Sequence, residues 1–329
     1  MNAGFGARAL SALPQKAVAL FSGCGGLALG FKNTGFEILA AFDNWDPALT
    51  VFRKNFPESQ VFNVDLGNIN GNYDIFDQFA PDIIIGGPPC QDYSHAGSRN
   101  EELGRADLTI SFADIVAEVR PTWFVMENVD QIMHSQRLIK AQDMLRKACY
   151  GLTERILNAS LCGVPQIRKR YFMVGRLNAP AGFLNEYFDS QLASRPMTVR
   201  EYLGSILDIE HYYRHPRTYA RRAIFSIDEP SPTVRGVNRP IPQNYRRHPK
   251  DTAPISSNVR PLTTIERSYI QTFPEGFIFE GSKTDLEQMI GNAVPVKLAE
   301  YVAKSIIAFS KKCEEEKENQ VKEYQLKLA

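Results

Sequence analysis

"KAVALFSGCGGLALGFKNTGFEILAAFDNW", residues 16–45, decides the fold class. Ala17–Phe21 is a continuous apolar run, the signature of a strand buried on both faces of a parallel sheet. Glycines follow at 23, 25, 26 and 30, then a helical stretch, then a second apolar run closing on Asp43. The segment reads as strand, glycine turn, helix, strand. Gly23-Cys24-Gly25-Gly26-Leu27-Ala28 fits the G-x-G-x-x-[G/A] pattern of dinucleotide-binding turns. Asp43 stands twenty residues beyond Gly23, where an acid reaches ribose hydroxyls. Glycine suits such a turn because a backbone without Cβ lets a ligand come close. Alone, the pattern fits a nicotinamide enzyme, and it equally fits a tight strand-to-helix turn with no ligand.

Further strands are expected over 60–65, 81–87, 122–129 and 168–177. A helix over 107–121 puts Ile110, Ala113, Ile115 and Val116 on one side and stops at Pro121. Strands alternating with helices predict an α/β fold, a doubly wound and mostly parallel sheet. Sites in such sheets lie at the carboxyl ends of the strands, where Asp43, Asp65, Cys90 and Glu127 fall. Residues 211–250 differ in texture, with nine Arg and Lys against two Asp and Glu among prolines and aromatics. Prolines oppose regular helix there, and a second, smaller loop-rich domain is expected. Helix returns over 261–274, and 291–309 reads as a capped amphipathic helix. The tail from 310 is a charged, solvated helix or a disordered extension. The expected organisation is a flexible leader at 1–15, a catalytic and cofactor-binding domain from 16–177 plus 286–310, a second domain and hinge at 178–285, and a charged tail at 311–329.

The 329 residues carry a formal net charge of +1, with 43% hydrophobic and 23% charged residues, which is globular composition. No stretch approaches a membrane span, and the N-terminus lacks the apolar centre of a secretory signal. Five cysteines without C-x-x-C pairing read as reduced cytosolic thiols, and the five histidines show no metal-ligand spacing. No metal is expected.

In "PDIIIGGPPCQDYS" (81–94) a buried strand ends in two glycines and two prolines before Cys90. The prolines remove local freedom and hold the thiol in place. A thiolate is a strong nucleophile, although most lone cysteines are small buried hydrophobes. The polar Gln91, Asp92 and Ser94 favour the nucleophile. Glu127, at the end of "FVMENV", is a carboxyl next to an apolar run, whose pKa can rise until it donates a proton. Arg168 and Arg170 in "PQIRKRYF" are two apart, on one face of a strand, and suit an anionic, planar or phosphate-bearing substrate.

"FSGCGGLALGF", "GGPPCQDYS", "MENV", "PQIRKR", "RPLTTIERSYIQTFP" and "GNAVP" occur in this order. Together they resemble the C5-cytosine DNA methyltransferases, over about Val18 to Phe309 except 178–258. The resemblance implies a Rossmann-like fold using S-adenosyl-L-methionine, with S-adenosyl-L-homocysteine as product. It implies a double-stranded DNA partner and a target recognition domain in the variable stretch. Cys90 would attack C6 of a flipped cytosine, Glu127 would act at N3 and Arg170 at O2, and Arg168 would position the neighbouring loop. Phe21, Ser22, Gly23, Gly25, Gly26 and Leu27 would form the cofactor turn. Trp45 would stack on adenine or ribose, Asp65 would take the adenine amino group, and Leu66, Pro88, Leu108, Asn292 and Val294 would complete the pocket. Relatives carry an acid just before the tryptophan; here that position is Asn44, with Asp43 one residue earlier, and either could hold the ribose. Gln91 and Ser94 are expected at the DNA, within a polar loop that could close as a lid. Arg221, Arg222, Arg235, Arg239, Arg246, Arg247 and Thr233 of the Thr233-Val234 pair are the candidates for reading DNA. A cytoplasmic, nucleoid-associated bacterial monomer is expected, with any cognate restriction endonuclease genetically linked rather than bound. A tRNA cytosine methyltransferase and a catalytically inactive DNA-binding regulator are the alternatives.

Overall fold

The computed structural model describes residues 13–69, 71–89, 107–218, 220–256 and 258–328. The chain runs β1 (Lys16–Leu20), α1 (Gly26–Lys32), β2 (Glu37–Asp43), α2 (Asp46–Asn55), β3 (Gln60–Asn63), α3 (Asp74–Asp77) and β4 (Ile83–Gly86). It continues with α4 (Leu108–Val119), β5 (Trp123–Val129), α5 (Gln136–Lys147), β6 (Tyr150–Asn158), β7 (Gln166–Ile167), β8 (Lys169–Leu177) and α6 (Asn185–Ser190). After α7 (Val199–Leu203) come β9 (His211–Tyr213), β10 (Ile224–Ser226), β11 (Ser231–Pro232), β12 (Arg260–Pro261), α8 (Thr264–Ile270), α9 (Lys283–Asn292) and α10 (Val296–Leu328).

Seven strands form one sheet in the order β3-β2-β1-β4-β5-β8-β6. The first five are parallel, whereas β8 is antiparallel to both β5 and β6. Alternate residues along the central strands enter two different cores. Ala17, Ala19, Ile83, Ile85 and Val125 face one; Val18, Leu20, Ile84, Phe124 and Met126 face the other. A strand covered on both faces must be apolar throughout, which is why these runs are continuous.

The mostly parallel sheet agrees with the sequence reading, which lacks β6 and does not give the direction of β8. β6, "YGLTERILN", lies at the sheet edge and carries Glu154 and Arg155 mid-strand, so no apolar run marks it. β8 turns back because only residues 159–168 separate it from β6; a parallel return needs a longer crossover, usually a helix. The helix read over 291–309 also divides. α9 ends at Asn292 and α10 begins at Val296, because Pro295 cannot continue a helix through its own position. The first N–H groups of α10 are satisfied from outside the helix: Val296 N donates to Gln271 O (3.0 Å) and Lys297 N to Thr272 Oγ1 (2.9 Å). The charged tail is the continuation of α10, and its described side chains beyond Ser310 are half-buried or exposed.

α1 lies directly on α10. A Cβ on Gly30 would meet Ala299 Cβ at 2.4 Å and Val296 O at 2.6 Å, so the two backbones approach only because residue 30 is glycine. Residues 211–261 build a three-stranded sheet, β10-β9-β12. Tyr213, Ala223, Ile224 and Val259 make a small core of their own beside it. Among the described residues no helix is long and apolar enough to cross a membrane.

Candidate active site

The strand order reverses between β1 and β4, and a cavity of ≈ 410 Å³ opens there, at the carboxyl ends of the strands. The glycine turn forms one wall. Gly23 and Gly25 have φ of 52° and 98°, and Gly25 caps α1 without a side chain. Asp43 ties this turn to the end of β2. Its carboxylate accepts from Gly23 N (2.8 Å) and Trp45 N (3.0 Å). Burial nevertheless raises its pKa, more than these backbone donors lower it. Asn44 and Asp65 are exposed at the cavity, Trp45 is half-buried beside them, and Leu66 and Leu108 add apolar surface. The far wall comes from the other end of the chain, from Gln288, Met289, Asn292, Ala293 and Val294. These walls touch: a Cβ on Gly26 would lie 2.4 Å from Val294 O.

The β4 and β5 ends meet on the remaining side. Asn128 Nδ2 donates to Pro88 O (2.9 Å), fixing the Pro-Pro loop to β5. Its neighbour Glu127 is 8% exposed, lines the cavity, and lies against Gly87, where an added Cβ would be 3.2 Å from Glu127 Oε2. Arg170 Nε stands 3.0 Å from Glu127 Oε1 as an ion pair. No donor among the described residues is aligned on that oxygen as a hydrogen bond. Burial raises the Glu127 pKa, and the positive charges of Arg170 and then Arg168 only partly oppose it. Cys90, Gln91, Ser94 and the expected lid lie outside the described residues. Cys24 lines the cavity, but burial pushes its thiol up to about 12, so it stays protonated.

Arg168 and Arg170 diverge. Arg168 is 1% exposed. Its guanidinium donates to Val234 O (3.0 Å), Gly291 O (3.1 Å) and Ala293 O (3.1 Å). It holds backbone together, while Arg170 stands at the carboxyl. The Thr233-Val234 pair rests on the same strand: β11 pairs with β7, and Thr233 Oγ1 donates to Ile167 O (2.7 Å).

Beyond this seam lies a basic face. Arg235, half-buried, donates to His215 O, and Arg214 Nη2 donates to Thr233 O (2.7 Å). Burial lowers the Arg214 pKa to about 10, with Arg235 the next cause. Arg235 is lowered by burial, then by Arg217 and Arg221. Arg217, Arg221, Arg239, Arg246 and Arg247 are exposed. Among the described residues no carboxylate forms an ion pair with them. Arg222 is different: it pairs with Glu229, donates to Ile224 O (3.0 Å) and stacks on Phe225 at 4.2 Å.

The sequence profile of the C-5 cytosine-specific DNA methylase family matches residues 15–308. The chain belongs to this family. It is 57% identical over 301 residues to the type II methyltransferase M.HindV of Haemophilus influenzae, covering 90% of this chain and 98% of that one. It is 52% identical over 295 residues to the type II methyltransferase M.HgiDI of Herpetosiphon aurantiacus, covering 90% and 95%. Among solved structures, the Dnmt2 methyltransferase of S. pombe superposes with a TM-score of 0.67 over 89% of this chain and 98% of its own, at 17% identity, a likeness of fold.

Of the residues expected around the cofactor, all line the cavity except Gly25, which shapes the turn, and Pro88, which is buried behind Pro89. Gln288 and Met289 were not legible, because nothing in "EQMIGN" distinguishes an inward helix face from a core one. Arg214 and Arg217 carry no sequence signal that sets them apart from the other arginines of the C-5 methylase's second half. The buried amides Gln166 and Gln271 carry none either, because a glutamine side chain has no ionisable or nucleophilic group.

Proposed function

We propose that the chain is the modification methyltransferase of a type II restriction-modification system. It methylates C5 of a cytosine flipped out of a specific short DNA duplex. The observation that carries the chemistry is the buried Glu127 carboxyl, held between Gly87 and Arg170 and open to the cavity. Ser22 Oγ is a buried cavity hydroxyl with no partner among the described residues, and the half-buried Trp45 offers a ring face beside the Asn44 and Asp65 side chains. S-adenosylmethionine, when bound, supplies an electrophilic sulfonium methyl.

Cytosine C5 is too weak a nucleophile to accept that methyl unaided. The Cys90 thiolate adds to C6, the C5–C6 electron pair moves onto C5, and negative charge spreads toward N3 and O2. Glu127, whose pKa burial raises against the pull of Arg170, delivers a proton to N3. Arg170 stands ready at O2. After C5 is alkylated a base removes its proton, the C5–C6 double bond reforms, the Cys90 sulfur leaves and the N3 proton returns to Glu127, so the covalent route divides one hard step into easier ones. The base must leave the stack for any of this. The small core around Tyr213 and its basic face serve as the target recognition lobe. The enzyme acts as a cytoplasmic monomer with a genetically linked endonuclease.

Two results test this reading. Duplex DNA in which the target cytosine is 5-fluorocytosine should trap a covalent adduct with the wild-type protein and none with Cys90→Ala; an adduct in both would remove Cys90 from the mechanism. Replacing the exposed Arg217 by alanine should weaken DNA binding in low salt and reduce the slope of log affinity against log salt by about 1. An unchanged slope would take Arg217 off the phosphate path.

A further inference from the structure

We infer that Gln271 is a positioning residue through which seating of the basic loop on DNA and closure of the cofactor wall are coupled. The inference rests on the reading above, in which the cavity takes the methyl donor and the arginine face takes DNA.

The backbone of Val234 is held on both sides of its Cα in the protein interior. Its N–H donates to Gln166 Oε1 (2.8 Å) and its carbonyl accepts from Arg168 Nη1 (3.0 Å). Gln166 Nε2 passes the contact on to Gln271 Oε1 (2.7 Å). Gln271 Nε2 donates to Ile290 O (2.6 Å) and Ala293 O (3.0 Å). Arg168 reaches Gly291 O and Ala293 O from its own side. Two arms, one of amides and one a guanidinium, thus run from a single residue of the basic loop to one turn. Gln166 and Gln271 are 0% exposed, so water cannot replace any bond in the amide arm.

That turn carries Asn292, Ala293 and Val294, which line the cavity. The loop and the turn are in backbone contact as well: a Cβ on Gly291 would meet Gly236 N at 2.2 Å and Arg235 C at 2.3 Å. Gln271 also accepts from Val296 N at the start of α10. A shift of Arg235 toward a phosphate therefore cannot leave the cofactor wall where it was. A ligand on either side favours the arrangement that suits the other, and linkage makes the effect reciprocal.

The test measures the affinity of the non-reacting product S-adenosylhomocysteine with and without saturating specific duplex, and compares the ratio between proteins. In wild type the ratio should be about fivefold or more. Gln271→Met keeps the volume but removes both donors and the acceptor, and should bring the ratio to near one. Gln166→Glu keeps the acceptor for Val234 N–H but loses the donor to Gln271, and should lower the ratio likewise if Gln271→Met does not fold. Thermal melts establish folding. A variant that weakens both binary complexes yet retains the wild-type ratio would make Gln271 merely structural and overturn the inference, as would a wild-type ratio of one. Failure of wild type to bind product or duplex alone would instead overturn the functional reading.

Discussion

Glu127→Gln lowers methyl transfer by about 10²–10⁴-fold at neutral pH, the range that one proton donor contributes, while DNA binding changes much less. The amide keeps the volume between Gly87 and Arg170 and can still donate a hydrogen bond to N3. It cannot hand over a proton as charge develops on the ring. Single-turnover rates on saturated complexes separate this loss from any loss of affinity. The same variant has a second signature. Burial lifts the Glu127 pKa above its ordinary 4.5, against the pull of Arg170 and Arg168. Above pH 4.5 the folded protein therefore holds more of this proton than the unfolded chain does, so the carboxyl makes the wild type progressively less stable as pH rises through that window. Glutamine does not titrate. Whatever the offset between the two proteins, the stability difference should move in favour of Glu127→Gln from pH about 4.5 toward neutrality, a shift that urea denaturation across that range would detect. A constant difference would mean that the carboxyl has an ordinary pKa and is ionised at working pH.

Arg168→Met destabilises the fold by on the order of 3–5 kcal/mol, the usual result of removing one member from a buried charged network. The substitution leaves the carbonyls of Val234 and Gly291 buried and short of a donor, and takes one of two donors from Ala293 O. It also removes a positive charge that acts on Glu127. Arg168→Lys should recover little of this, because one ammonium on a flexible stem cannot reproduce a rigid fork directed at three carbonyls. Equilibrium unfolding in urea measures both. If Arg168→Met unfolded at the wild-type midpoint, the guanidinium would not be holding the seam.

The contrast between Arg168 and Arg170 bears on how far the sequence could be read. Their spacing predicted one face of a strand for both, and both do act on Glu127. It could not say that one side chain would turn inward onto Val234 and the 291–293 turn, since those segments are remote along the chain. Asp43 is similar. The acid at the end of β2 was legible as a residue of the strand-end cavity, but its two oxygens are already engaged by Gly23 and Trp45 N–H groups. Asn44 is the exposed group beside it, and only the folded turn reveals this.

What the sequence determined by itself was local and periodic. Continuous apolar runs specify strands covered on both faces, the glycines from 23 to 26 specify a tight strand-to-helix turn, and Pro121 marks a place a helix cannot pass. Residue chemistry named Glu127 as a buried acid because it follows an apolar strand. Tertiary structure alone decided the antiparallel β8, which depends on a short connection rather than on composition. It alone decided that α9 and the 291–294 turn close a cavity begun by α1, more than 260 residues earlier in the chain. It alone joined the Val234 backbone to that wall through Gln166, Gln271 and Arg168. Hydrogen bonds between distant segments leave no periodicity in a sequence, because each partner satisfies only a local propensity until the chain is folded.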